Sequence, residues 1–173
     1  GNIYEELGAE FYVGNEALFE LETNELLDDR SDLTALFAAI EAASDATFMD
    51  DLDTVIDMDA FLGYCAMEAL VEHWDGYCYT RFGPNNFRIY ADPTSAKHWL
   101  IPWGTDMSLK PFEPSFDVMA PTGMLLQRCM GSSQCLPAYL DKLGELAALW
   151  DTLAMEERAQ RYHDQIDAAV LAD

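Results

Sequence analysis

Basic residues are scarce in this sequence: 9 Lys and Arg stand against 32 Asp and Glu, which gives a formal net charge of −23 and a pI near 4.1. Clustered Lys and Arg are what bind a phosphate backbone, so nucleic acid is set aside as a partner. Such acidity serves solubility or life in high salt, and it can also attract cations or basic substrates. No run of about 18 apolar residues occurs, so no membrane span is expected. No basic-then-apolar leader opens the chain either; it starts at Gly1 in GNIYEE, which reads as a strand already under way in a cut fragment. Internal repeats, low-complexity tracts and long linkers are absent.

Cysteine is also sparse. The four are Cys65, Cys78, Cys129 and Cys135. Cys65 and Cys78 are thirteen apart with no His cluster nearby, which argues against a zinc knuckle. Cys129 and Cys135 are six apart in RCMGSSQC, a spacing that invites a short disulfide and with it an oxidising, extracellular compartment. Cys65, on a buried helix, is expected to be a slowly reacting thiol. The Asp-rich stretch with Asp50, Asp51, Asp53, Asp57 and Asp59 lacks the Gly and Glu that an EF-hand loop needs at its sixth and twelfth positions. Capping and solvation explain it better, and an acidic cation-binding module is the alternative reading.

What is present can fold. Half of the 173 residues are hydrophobic and 12% are aromatic, enough for one domain with a sizeable core. Residues 1 to 22 alternate apolar and polar around Gly8 and Gly14, predicting two short strands. Leu33, Leu36, Phe37 and Ile40 then fall on one face of a helix over 32–43, with Ser31 or Asp32 placed to cap it. A short helical turn near 49–54 precedes a long, mostly apolar helix that runs from Asp57 or Asp59 to Trp74. The Gly-, Pro- and Asn-rich DGYCYTRFGPNN leaves helix. FRIY and HWLIPW read as a hairpin around the turn ADPTSAK, and helical patterns resume from Leu125 to the C-terminus.

Phosphoryl transfer needs a carboxylate to orient the attacking hydroxyl, plus an Asn and a second Asp to hold divalent ions against the nucleotide phosphates. Protein kinases supply them in the order buried helix, Asp, loop, Asn, hairpin, Asp. This chain has the same order in Asp75, Asn86 before FRIY, and Asp106 after HWLIPW. Antiparallel pairing of the two strands should make Asn86 and Asp106 neighbours facing one cleft, with Asp75 on its rim if the loop folds back at Gly83-Pro84. His73 reads as a residue that orients this loop rather than as a general base. Trp74 reads as core, and Pro102 and Trp103 as core and turn residues that aim Asp106.

HWDGY, NNF-x-x-Y and IPWGTD together resemble the core signature of the CotH kinase family of spore-coat protein kinases. GNIYE, FELETNE, DLTAL and ID-x-D-x-FL-x-Y are similar to that family too, so the resemblance runs from Gly1 to about Lys110 and continues in secreted members with a short Cys loop. It implies an α+β, atypical protein-kinase-like fold: a mainly helical C-lobe with a short antiparallel hairpin that carries the metal site. One domain would span 1–173, with 1–30 the end of the N-terminal strand region and 31–173 the helical catalytic lobe. It implies ATP with Mg2+ or another divalent cation as cofactors, a protein substrate phosphorylated on Ser or Thr, and secretion. Carried onto this chain, Asp75 is the catalytic acid, Asn86 the metal ligand with Asn85 as a stand-in, and Asp106 the second metal ligand. Many members have a second Asp where this chain has Gly104; others share W-G-x-D. The family's basic, Gly-containing nucleotide-binding segment precedes the GNIYE-like strand. None of Lys97, Lys110 and Lys142 lies early enough to be the phosphate-pairing lysine, which leaves the activity of the isolated chain open. A non-catalytic coat component of the same fold is the other alternative.

Overall fold

A computed structural model describes residues 1–109, 116–150 and 152–170; Lys110 and the last three residues of the C-terminal helical pattern lie outside them. The described residues form an α+β fold with a four-stranded antiparallel sheet and six α-helices. The strands are β1 (Asn2–Glu6), β2 (Phe19–Leu21), β3 (Phe87–Ala91) and β4 (His98–Pro102), in spatial order β2-β1-β3-β4. The helices are α1 (Ser31–Ala42), α2 (Phe48–Leu52), α3 (Met58–Leu70), α4 (Met124–Gly131), α5 (Cys135–Trp150) and α6 (Met155–Val170).

Alternation decides which face of the sheet is buried. Phe87, Ile89 and Ala91 of β3, with Tyr4 of β1 and Phe19 and Leu21 of β2, turn toward the core. There Phe11, Phe19, Phe37, Tyr77 and Phe87 pack ring on ring, and α1 adds Leu33, Leu36, Phe37 and Ile40 as its periodicity predicts. On the hairpin, Phe87 pairs with Pro102 and Ala91 with His98, and Asp92 closes the turn by accepting from the N–H groups of Thr94 and Ser95.

Helix α3 is the central helix that its apolar surface predicts, packed against α5 and β4. Asp57 caps it by accepting from the Ala60 N–H at 3.0 Å. Three more acidic residues of that stretch have partners: Asp51 accepts from Ser44 and Thr47, Asp53 pairs with Lys97 at 3.0 Å and Asp59 with Lys142 at 2.6 Å. The helix stops at Leu70, short of the expected Trp74, because Glu72 takes a left-handed conformation with φ of +49° and turns the chain back.

Cys129 and Cys135 are bonded, as their spacing suggests. Cys65 is not a free thiol: it is bonded to Cys78, which corrects the expectation of a slow-labelling cysteine. The reversal after α3 carries Cys78 back alongside the helix, so two residues thirteen apart in sequence have Cα atoms 5.8 Å apart. Among the described residues no helix is long and apolar enough to cross a membrane.

Candidate active site

Three segments meet at one end of the β3–β4 hairpin: the loop after α3, the first residues before β3, and the turn that follows β4. The loop after α3 is anchored in the core by Tyr77, two residues beyond Asp75. Its ring packs 4.9 Å from Phe87 and 5.4 Å from Phe11. Its hydroxyl accepts from the Leu125 N–H at 3.0 Å and donates to Glu10 at 3.3 Å. Burial pushes this phenol well above its ordinary value, so it stays protonated. Farther along, the Thr80 hydroxyl donates to the Gly83 carbonyl, and the chain folds back toward β3.

That return brings Asn86 onto Asp75. The Asn86 Nδ2 donates to the Asp75 carbonyl at 2.8 Å and to Asp75 Oδ2 at 2.7 Å, while Asn85 Nδ2 lies 3.3 Å from Asp75 Oδ1. Both partners of the Asn86 amide are acceptors, so it must present its nitrogen to Asp75, and Oδ1 is the end turned toward Gly104. Asn86 sits at φ +54°, a left-handed conformation that Asn tolerates better than most residues. Glu6, at the end of β1, lies behind it with the backbone N–H groups of Phe87 and Asn86 facing its carboxylate. Burial pushes Glu6 up to about 7 against those N–H groups.

The third segment is fixed at both ends. Trp103 N–H donates to the Asn86 carbonyl at 3.0 Å, and Leu109 N–H donates to the Val71 carbonyl at 2.6 Å. Gly104 lies against the Asn86 amide so closely that a Cβ there would stand 2.8 Å from Asn86 Cγ. Between these anchors Thr105–Met107 form a 3-10 turn on which Asp106 is exposed. The structure therefore joins Asp75 to Asn86 directly. Among the described residues no hydrogen bond ties Asp106 to either, although its turn begins at Gly104, against Asn86.

Pro102 and Trp103 differ from the sequence reading: Pro102 is exposed and ends β4. Trp103 is 50% exposed rather than core, because it points out of the sheet where the Arg88 guanidinium covers its ring 4.0 Å from the centroid. Arg88 is held there by Glu5 at 2.7 Å. His73 is buried, and it meets Glu68 of α3 twice: its backbone N–H donates to the Glu68 carbonyl at 2.9 Å, and its Nδ1 lies 3.6 Å from Glu68 Oε1.

Sequence reasoning missed Glu68. It is 3% exposed on α3 and accepts from the Tyr77 N–H at 3.0 Å, the Cys78 N–H at 2.7 Å and the Tyr64 hydroxyl at 2.5 Å. A single acid on the apolar face of FLGYCAMEALV was the available signal. Beside it a cavity of about 220 Å³ is lined by His73, Thr105, Leu100 and Pro102 among others.

A family model described as CotH kinase protein matches residues 6–173. No curated protein matches the chain. With nearly the whole length covered, including all three segments that meet beside Asp75 and Asn86, the chain belongs to the CotH kinase family.

Proposed function

We propose that this chain is the helical catalytic lobe of an ATP-dependent protein kinase with an atypical kinase fold, acting on Ser or Thr of extracellular or coat proteins. The observation that carries this reading is the Asn86 amide, which donates to Asp75 at two atoms and turns its carbonyl oxygen toward Gly104, at the start of the turn that carries Asp106. In this reading Asp75 orients the substrate hydroxyl and accepts its proton. Asn86 Oδ1 and the Asp106 carboxylate would hold a divalent ion, and both are the hard oxygen donors such an ion prefers. Among the described residues no cluster of three or more His, Cys, Asp or Glu is arranged to hold a metal. This donor set fits an ion whose remaining ligands are nucleotide phosphates and water, as is usual for Mg2+. When bound, the ion neutralises charge on the phosphates. The net charge of −23 favours a basic protein segment as substrate, and two disulfides support a secreted location.

Calorimetric titration of the intact protein tests this reading. Saturable binding of ATP with Mg2+, lost in N86A, is the expected result. Binding of Ca2+ alone, with none of ATP, would replace the kinase reading with that of an acidic cation-binding module.

A further inference from the structure

We propose that Glu68 is a positioning residue for the Asp75 loop: its buried carboxylate fixes the backbone on which Asp75 is carried. The activity arm of this inference rests on the phosphotransfer reading; its structural arm does not. Glu68 reaches from α3 under the loop, and its two oxygens divide the work. Oε1 accepts from Tyr77 N–H at 3.0 Å and Oε2 from Cys78 N–H at 2.7 Å, two consecutive backbone donors just past Asp75. Hydrogen bonds to a carboxylate are roughly twice as strong as neutral ones, and these lie in the buried interior. The Tyr64 hydroxyl, donating to Oε1 from the same helix, fixes the rotamer of the acid. Gly76 completes the fit, since a Cβ there would stand 2.6 Å from Glu68 Cδ and 2.7 Å from His73 Nδ1.

The consequence reaches the site through one more link. Asn86 Nδ2 is bonded to the backbone carbonyl of Asp75 as well as to its carboxylate. A shift of the loop backbone therefore moves Asp75 and Asn86 together. Displacements of about 1 Å can cost up to about 100-fold in rate. The Cys65–Cys78 disulfide ties the same loop to α3 independently, so a Glu68 variant keeps the loop attached while losing its alignment.

The test compares E68Q with C129S/C135S in the intact protein. Gln keeps one acceptor but turns an N–H2 toward one of the two backbone N–H groups, leaving that group without an acceptor. C129S/C135S removes the disulfide between α4 and α5, which involves neither Glu68 nor the loop amides. In E68Q, hydrogen exchange at the Tyr77 and Cys78 amides is expected to quicken at least 10-fold. Its kcat for phosphate transfer from ATP should fall about 10- to 100-fold with KM for ATP within threefold. C129S/C135S should melt lower while kcat stays within twofold. Unchanged exchange at Tyr77 and Cys78 in E68Q overturns the proposal, and so does a kcat that follows the loss of stability equally in both variants. If the wild-type protein transfers no phosphate, the kinase reading fails, and the exchange measurement alone decides the role of Glu68.

Discussion

Replacing Gly104 by Ala is a small change with a calculable cost. Gly104 has φ of +55°, a left-handed conformation that disfavours any residue with a Cβ by roughly 1–2 kcal/mol. The new methyl would also stand 2.8 Å from Asn86 Cγ, so the amide must move. Moving it breaks the bonds from Nδ2 to the Asp75 carbonyl and carboxylate. Hydrogen bonds to a charged group contribute about 1.5–3 kcal/mol, and the partial exposure of this pair puts it at the lower end. The sum is about 2–4 kcal/mol, or a drop of roughly 5–15 °C in melting temperature for a chain of this size. A double-mutant cycle separates the two parts. In an N86A background there is no amide to displace, so G104A should cost only the backbone share of about 1–2 kcal/mol. Calorimetric melting of the wild type, both single variants and the double variant supplies the four values. Equal costs of G104A in the two backgrounds would refute the claim that Gly104 exists to make room for Asn86.

Three further outcomes follow from other parts of the molecule. D75N should keep the fold and lower phosphate transfer by about 100- to 10,000-fold, the range for loss of a general base, and a radiolabelled transfer assay with activity within threefold of wild type would remove Asp75 from the reaction. The C65S/C78S variant should lose about 2–4 kcal/mol in denaturant unfolding, and thiol counting on the unreduced wild type should find none of the four cysteines reactive. His98 is held below its ordinary value by burial, against the raising effect of its bond to the Val55 carbonyl. The unfolded chain then binds the extra proton as pH falls through about 6.5, so stability due to this group is lost on acidification. H98Q should flatten the melting curve between pH 7.5 and 5 relative to wild type, and parallel curves would contradict the assignment.

Much of the frame was legible because periodicity governs it. Leu33, Leu36, Phe37 and Ile40 marked α1, and the alternation in FRIY and HWLIPW marked the hairpin whose pairing brings Trp103 to Asn86. Family likeness pointed to three candidate positions, and the structure joins two of them, Asp75 and Asn86, directly. What escaped depended on contacts between segments. Nothing in the spacing of Cys65 and Cys78 shows that the chain reverses at Glu72 and returns along α3. Glu68 looks like an ordinary helical acid until the loop amides of Tyr77 and Cys78 are seen to close on it. Trp103 reads as core, and only its exposure and the Arg88 guanidinium over its ring show it on the outer face.

The central claim is that Asp75, Asn86 and Asp106 serve one phosphoryl-transfer site. Asp106 tests it most directly, because it is exposed and its removal disturbs no hydrogen bond to the other two among the described residues. Transfer of radiolabelled phosphate from ATP to a basic protein substrate should be readily measured for the intact wild-type protein with Mg2+. In D106A it should be abolished, with an unchanged melting temperature in the absence of metal. A D106A protein that still transfers phosphate at the wild-type rate would contradict the account.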